Sequence, residues 1–244
     1  MRFLLILILM LKLSFVSYGN DGLIYHDNIW TLESDRDGIK LYSHKKPPKD
    51  IVPLRGEMTV LDSVEEVIAV FDDKKRRKEW AKRFQESHLL EKTTLYDQVE
   101  YTRVVLPLWF SDRTSVAKIK VVVSADFKTI YFFGESTEHP KADKYKRGVR
   151  ASIYESSIKL EDTGQGTKIT MITYADPNGA IPPWVVNLFT ESVARNTMNN
   201  FRRQLAKDLY SREHLARFTY RIRNYKKFKT TKYHSNMNNL IQYN

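Results

Sequence analysis

Apolar and polar residues alternate through residues 87–175, and the pattern lengthens to a helical period after residue 183. In the alternating stretch Val, Ile, Thr and Tyr are dense, with breaks at Asp126, His139-Pro140 and Gly164-Gln165-Gly166. These features predict strands over 87–93, 97–106, 111–124, 129–136, 149–160 and 167–175, joined by short turns into an antiparallel sheet. Asp176-Pro177-Asn178-Gly179 is a breaker cluster, and Pro182 and Pro183 suit a first helical turn, where a missing N–H costs nothing. From residue 184 to 209 no Gly or Pro intervenes. Val185, Leu188, Phe189, Val193, Phe201, Leu205 and Leu209 recur near a 3.6-residue period, which predicts a long amphipathic helix. Upstream, Ser63 and Glu66 form a capping box before Val64, Val67, Ile68 and Phe71, the signature of a second helix. The segment from Trp30 to Tyr42 is expected to be a short helix or turn followed by a strand, and 51–61 another strand. A sheet with one early and one long final helix is an α+β architecture.

Composition changes this picture at both ends. The 244 residues are 42% hydrophobic, enough for one sizeable core. Residues 1–19 combine Arg2, an apolar run from Phe3 to Leu13 and small residues Ser17 and Gly19. That is the pattern of a secretory signal peptide, and it implies an exported, periplasmic or secreted protein. There is no cysteine, so the fold must stand on its core without disulfides. Residues 1–19 contribute +2 and residues 211–244 contribute +7 of the net +11, leaving +2 for 20–210. The basic character belongs to the tail, where Lys and Arg interleave with Phe218, Tyr220, Tyr225, Phe228 and Tyr233. Such a tail suits transient contact with an anionic membrane surface. Nucleic-acid binding through stacked tyrosines is the competing reading, which export disfavours.

The six histidines show no metal-ligand spacing, and no phosphate loop, dinucleotide turn or nucleophile elbow is present. No metal or cofactor is expected. Alternation places Tyr101, Arg103 and Val105 on one strand face. If that face points inward, Arg103 is a buried cation in need of a partner; the alternative is a solvated face.

Several motifs fall in a recognisable order. Trp30 with Asp37-Gly38-Ile39-Lys40-Leu41-Tyr42 comes first, then Trp80, then Leu106-Pro107-Leu108-Trp109-Phe110-Ser111-Asp112-Arg113. Asp176-Pro177 with Gly179, Pro183-Trp184 and Asn187 then lead into the final helix. Together, across residues 25–210, they resemble the START domain family, the lipid-transfer domains related to steroidogenic acute regulatory protein. The resemblance implies a helix-grip fold, a curved antiparallel sheet wrapped around the long C-terminal helix, enclosing an apolar cavity for a lipid or other hydrophobic small molecule. It implies a non-enzymatic binder, expected to be a monomer, with the C-terminal helix and the 176–184 loop as gate. Tyr101, Arg103, Val105, Trp184, Leu188, Phe189, Met198 and Phe201 are the expected ligand-binding residues. Residue 114 is Thr where the family motif has Asp, which leaves headgroup specificity open. A helix-grip enzyme, cyclase- or hydrolase-like, is the alternative, and His88 is its one candidate catalytic residue. The expected organisation is a leader at 1–19, a lipid-binding domain at 20–210 and a tail at 211–244.

Overall fold

A computed structural model describes residues 22–93, 97–106, 110–145 and 147–223. The expected leader, the Pro107-Leu108-Trp109 part of the motif and the tail beyond Arg223 lie outside the described residues. The strands are β1 (Trp30–Arg36), β2 (Ile39–His44), β3 (Leu54–Val60), β4 (Phe84–Lys92), β5 (Asp97–Val104) and β6 (Arg113–Val123), then β7 (Thr129–Ser136), β8 (Val149–Arg150), β9 (Ser152–Asp162) and β10 (Thr167–Asp176). The helices are α1 (Val64–Asp72), α2 (Arg77–Trp80), α3 (Pro183–Leu205) and α4 (Arg212–Arg223).

All ten described strands join one sheet in the order β1-β2-β3-β10-β9-β7-β6-β5-β4, with β8 beside β6. Every pairing along that path is antiparallel; β8 alone runs parallel to its neighbour. The α1–α2 segment carries the chain from β3 near one edge to β4 at the other. The alternating stretch yields strands close to those expected, with 149–160 divided into β8 and β9.

The beginning of the fold differs from the expectation of a helix or turn before a single strand. Residues 30–44 form a hairpin, because Asp37 and Gly38 take φ of 56° and 68° and pair Arg36 with Ile39 across a two-residue turn. Positive φ at both central positions matches the right-handed twist of the flanking strands.

α1 begins as its sequence dictates. The Ser63 side chain accepts from the Glu66 N–H while the Glu66 carboxylate accepts from the Ser63 N–H. α3 ends at Leu205, short of Leu209, and Asp208 at φ 47° turns the chain away from the helix. The first part of the stretch assigned to the tail is then helical. α4 lies on α1 through buried Phe218, and Thr219 Oγ1 donates to Glu65 Oε1 at 3.0 Å. Tyr210 donates to Asp73 Oδ2 at 3.1 Å. Burial and the Asp73 carboxylate push the Tyr210 hydroxyl up to about 12.

The main core lies between one half of the concave sheet face and the helices. Ile39, Leu41, Met58, Ile169 and Leu160 meet Val67 and Val70 of α1 and Phe201 and Leu205 of α3. α3 approaches the sheet at Gly56, where a Cβ would stand 2.6 Å from Met198 Sδ and 3.3 Å from Leu41 Cδ2. Met198 is itself 2% exposed, so its thioether would have to shift toward the cavity space beside it, and Leu41 would still be crowded. Gly56→Val is therefore expected to destabilise the fold by about 1–3 kcal/mol in urea unfolding. Combined with Met198→Ala, its penalty should be smaller than in the wild-type background, because the truncated side chain yields the space. Strict additivity would show that the two sites do not compete for one volume.

Candidate ligand cavity

The two halves of α3 are packed differently. Its C-terminal half is clamped: Phe201 stacks on Phe71 at 4.3 Å and meets the Trp80 ring edge-on at 5.0 Å. Its N-terminal half stands off the sheet, and a cavity of about 1090 Å³ lies between them. Phe84, Val104, Ile119, Ile158 and Met171 line it from the sheet side, and Val185, Phe189 and Val193 from the helix. Phe189 and Val193 keep 43% and 37% of their surface accessible, so these apolar side chains look onto the cavity and not into packed core. The volume is just above the roughly 300–1,000 Å³ typical of small-molecule pockets.

The structure distributes the expected ligand residues unevenly. Val105, Phe189 and Met198 line the cavity. Phe201 is in the clamped core beside it. Trp184 and Leu188 face outward, 68% and 65% exposed. Tyr101 and Arg103 are on the opposite face of the sheet, so the inward-pointing assignment of that face is corrected. Period-2 alternation sends Thr102 and Val104 to the cavity; Val105 joins them because β5 has ended at Val104. On the outer face Arg103 is neutralised by Glu86 and Asp112, both at 2.8 Å. Tyr101 is fully buried there, 4.7 Å from the Tyr145 ring, beneath the turn at Pro140–Lys144. His88 is on that face too, stacked on Tyr145 at 4.3 Å with Glu86 3.5 Å away, and it takes no part in the cavity wall.

Two arginines hold polar positions of the wall: Arg77, one charge of the basic run 74–78, and Arg113 of the Ser111-Asp112-Arg113 motif, whose expected role is to tie a strand start to a loop. Arg77 Nη1 donates to Glu100 Oε1 at 3.0 Å and Nη2 to the Phe71 carbonyl at 3.0 Å, and its guanidinium lies 5.3 Å over the Phe84 ring. Lys74 meets the other Glu100 oxygen at 2.5 Å. Burial works against the ionised form of Glu100, but the Arg77 charge and the Lys74 hydrogen bond prevail and hold the carboxyl below its ordinary value. Glu100 is on the inward face of β5, a signal present in the alternation once the correct face is known. Among the described residues the buried N–H groups Trp80 Nε1 and Arg77 Nε meet no acceptor.

Arg113 opens β6 and is 5% exposed. It donates to the carbonyls of Pro177 at 2.5 Å, Ser111 at 2.6 Å and Asn178 at 3.0 Å, and so ties the sheet to the breaker loop ahead of α3. Its partners are all neutral, and burial pushes its pKa down. An arginine stays charged through such a shift.

The START domain family's sequence profile matches residues 24–208. The phosphatidylcholine transfer protein of Bos taurus is 26% identical over 183 residues, covering 73% of this chain and 83% of its own. Among solved structures, human STARD10 superposes with a TM-score of 0.69 at 21% identity, covering 84% of this chain and 80% of that one. A STAR-related lipid transfer protein from Xanthomonas axonopodis superposes with a TM-score of 0.62 at 24% identity, covering 73% of this chain and 99% of that one. Both share the α+β helix-grip fold described above.

The Glu100 cluster has a pH signature. A carboxyl with a lowered folded pKa contributes stability that is complete above its unfolded value near 4.5 and is lost as pH falls through the folded value. Glu100→Gln leaves Lys74 and Arg77 without a counter-charge and is expected to cost roughly 1–3 kcal/mol at neutral pH, since both cations keep some contact with water. Its unfolding free energy should also vary less than the wild type's between about pH 5 and pH 3. Parallel pH profiles for the two proteins would contradict the assignment.

Proposed function

The chain belongs to the START domain family, and from that premise we propose that it binds a lipid in the cavity beneath α3 and carries it between membranes without altering it. The observation that carries this reading is the standing-off of an apolar helix face from an apolar sheet face, leaving a cavity of about 1090 Å³. Burying hydrocarbon against Phe84, Ile119, Ile158, Phe189 and Val193 returns about 25 cal/mol per Å² removed from water. The name of the bovine relative, a phosphatidylcholine transfer protein, supports the same class of ligand.

Access is gated by the N-terminal half of α3 together with the 176–184 loop. The contacts there are mostly polar and near the surface: Asn187 bonds to Val52 N and the Asp50 carbonyl, Glu191 accepts from Ser34 Oγ at 3.0 Å, Val186 packs on the Trp30 cluster, and Arg113 holds Pro177 and Asn178. Trp184 and Leu188, one helical turn apart on the outward face, touch the bilayer during exchange, with Trp184 suited to the interface by its amphipathic ring. The basic residues after 210 hold the molecule near anionic headgroups, at about 1 kcal/mol for each Lys or Arg close to the surface. The protein acts as a monomer outside the cytoplasm, as the pattern of residues 1–19 suggests. His88, the residue weighed for catalysis, belongs to an outer-face aromatic stack, which favours carriage over chemistry.

A vesicle-to-vesicle assay with a fluorescent phospholipid separates loading from docking. Val193→Trp fills cavity volume and is expected to cut lipid uptake about tenfold or more while the fold stays intact. Trp184→Ser with Leu188→Ser should slow transfer from vesicles yet leave uptake from detergent solution unchanged. Full loading of Val193→Trp would place the lipid elsewhere.

A further inference from the structure

The charge on the cavity wall has one sign. Among the described residues that line it, Arg77, Lys82, Arg83 and Arg113 are cationic and none is Asp or Glu. Glu100 answers Arg77 from behind, with Lys74 sharing the same carboxylate. Among the described residues Arg113 has no such answer. It is 5% exposed, and its three hydrogen bonds go to backbone carbonyls, which supply partial charge and leave the full positive charge uncompensated. Those bonds use three of the five guanidinium hydrogens. A buried cation without a counter-ion is costly, and an anion brought within reach removes that cost.

A cationic head would meet the reverse situation. It would face like charge from four side chains on the wall. The Phe84 ring, one of the aromatic faces it could use, already has the Arg77 guanidinium 5.3 Å from its centroid.

We propose that the cavity selects an amphiphile whose head carries net negative charge, a phosphate monoester or a carboxylate on a hydrocarbon tail, with that head paired to Arg113. This deepens the lipid-binding reading and rests on it. Because Arg113 also holds the Pro177 and Asn178 carbonyls, the head and the 176–179 loop share one guanidinium. The occupied cavity thereby sets how firmly its own loop is held. Lys82 and Arg83, beside the β4 end of the wall, give an incoming anion an attractive path.

The test is competitive loading of the full chain, read by native mass spectrometry. The probes are an equimolar mixture of dioleoyl phosphatidic acid, oleate, dioleoyl phosphatidylcholine and dioleoylglycerol. Phosphatidic acid or oleate is expected to be bound in preference to both the zwitterionic and the neutral lipid, by roughly tenfold or more. Which of the two anions is retained separates phosphate from carboxylate. Arg113→Gln should lose that preference while still taking up dioleoylglycerol, a result that loss of structure alone would not give. Should Arg113→Gln fail to fold, the wild-type ratio, together with its decline in the pair variant Lys82→Gln/Arg83→Gln at one exposed and one half-buried position, decides the matter. Equal or better binding of phosphatidylcholine or dioleoylglycerol by the wild type overturns the anion preference and leaves the lipid-binding reading standing. Uptake of none of the four overturns both.

Discussion

Met198 of α3 meets Gly56 of β3 at a separation that a single added methyl group would close, and Phe201 one turn further on is locked between Phe71 and Trp80. Through these contacts the C-terminal half of the helix is fixed against the sheet and against α1 and α2. Because a helix is stiff over its length, fixing one end sets the height of the other. The N-terminal half is thus held above the concave face at a distance its side chains do not span, and the cavity follows from that geometry. Small residues facing that half, Ala151, Ser156, Thr173 and Ala175, keep the floor low. The core and the cavity are two ends of one helix–sheet interface.

The same sheet separates two electrostatic environments. On its outer face Arg103 has two carboxylates within 2.8 Å and closes its own charge. On its inner face the Glu100 cluster carries two cations on one carboxylate, and Arg113 carries its charge against carbonyl dipoles alone. Glu100 and Arg103 of one strand are therefore in opposite chemical settings, which is why the register of β5 governs what the cavity can hold. Loop and wall are linked through Arg113, since the atom that closes the loop also lines the space behind it.

Much of this was readable in the residues themselves. The strands from 84 to 176, the capping box of α1 and the start and period of α3 follow from alternation, turn chemistry and helical period, because each is a local preference reinforced by burial. Motif order pointed to the helix-grip arrangement. Two features were not local. Alternation on β5 separates Tyr101 and Arg103 from Thr102 and Val104, but a period of two cannot say which set points inward; that depends on α3, some eighty residues away. Leu188 and Phe189 satisfy the same helical period, yet only Phe189 reaches the cavity, because the half-lifted helix turns a narrower stripe inward than its apolar positions suggest. The 30–44 hairpin carries its local signal at Asp37-Gly38, the two-residue turn, and not at Trp30, which opens a strand where a helix or turn was expected. Arg77 is, in sequence, one charge in the basic run 74–78, and its role depends on Glu100 from a distant strand.

The central claim is that the space under α3 holds a lipid. Native mass spectrometry of the full chain purified from its own host, with organic extraction of the same sample, examines it most directly. A defined lipid released on unfolding, in near-stoichiometric amount, is the expected result. A protein of bare polypeptide mass that stays so after incubation with mixed phospholipids, fatty acids and sterols would contradict it.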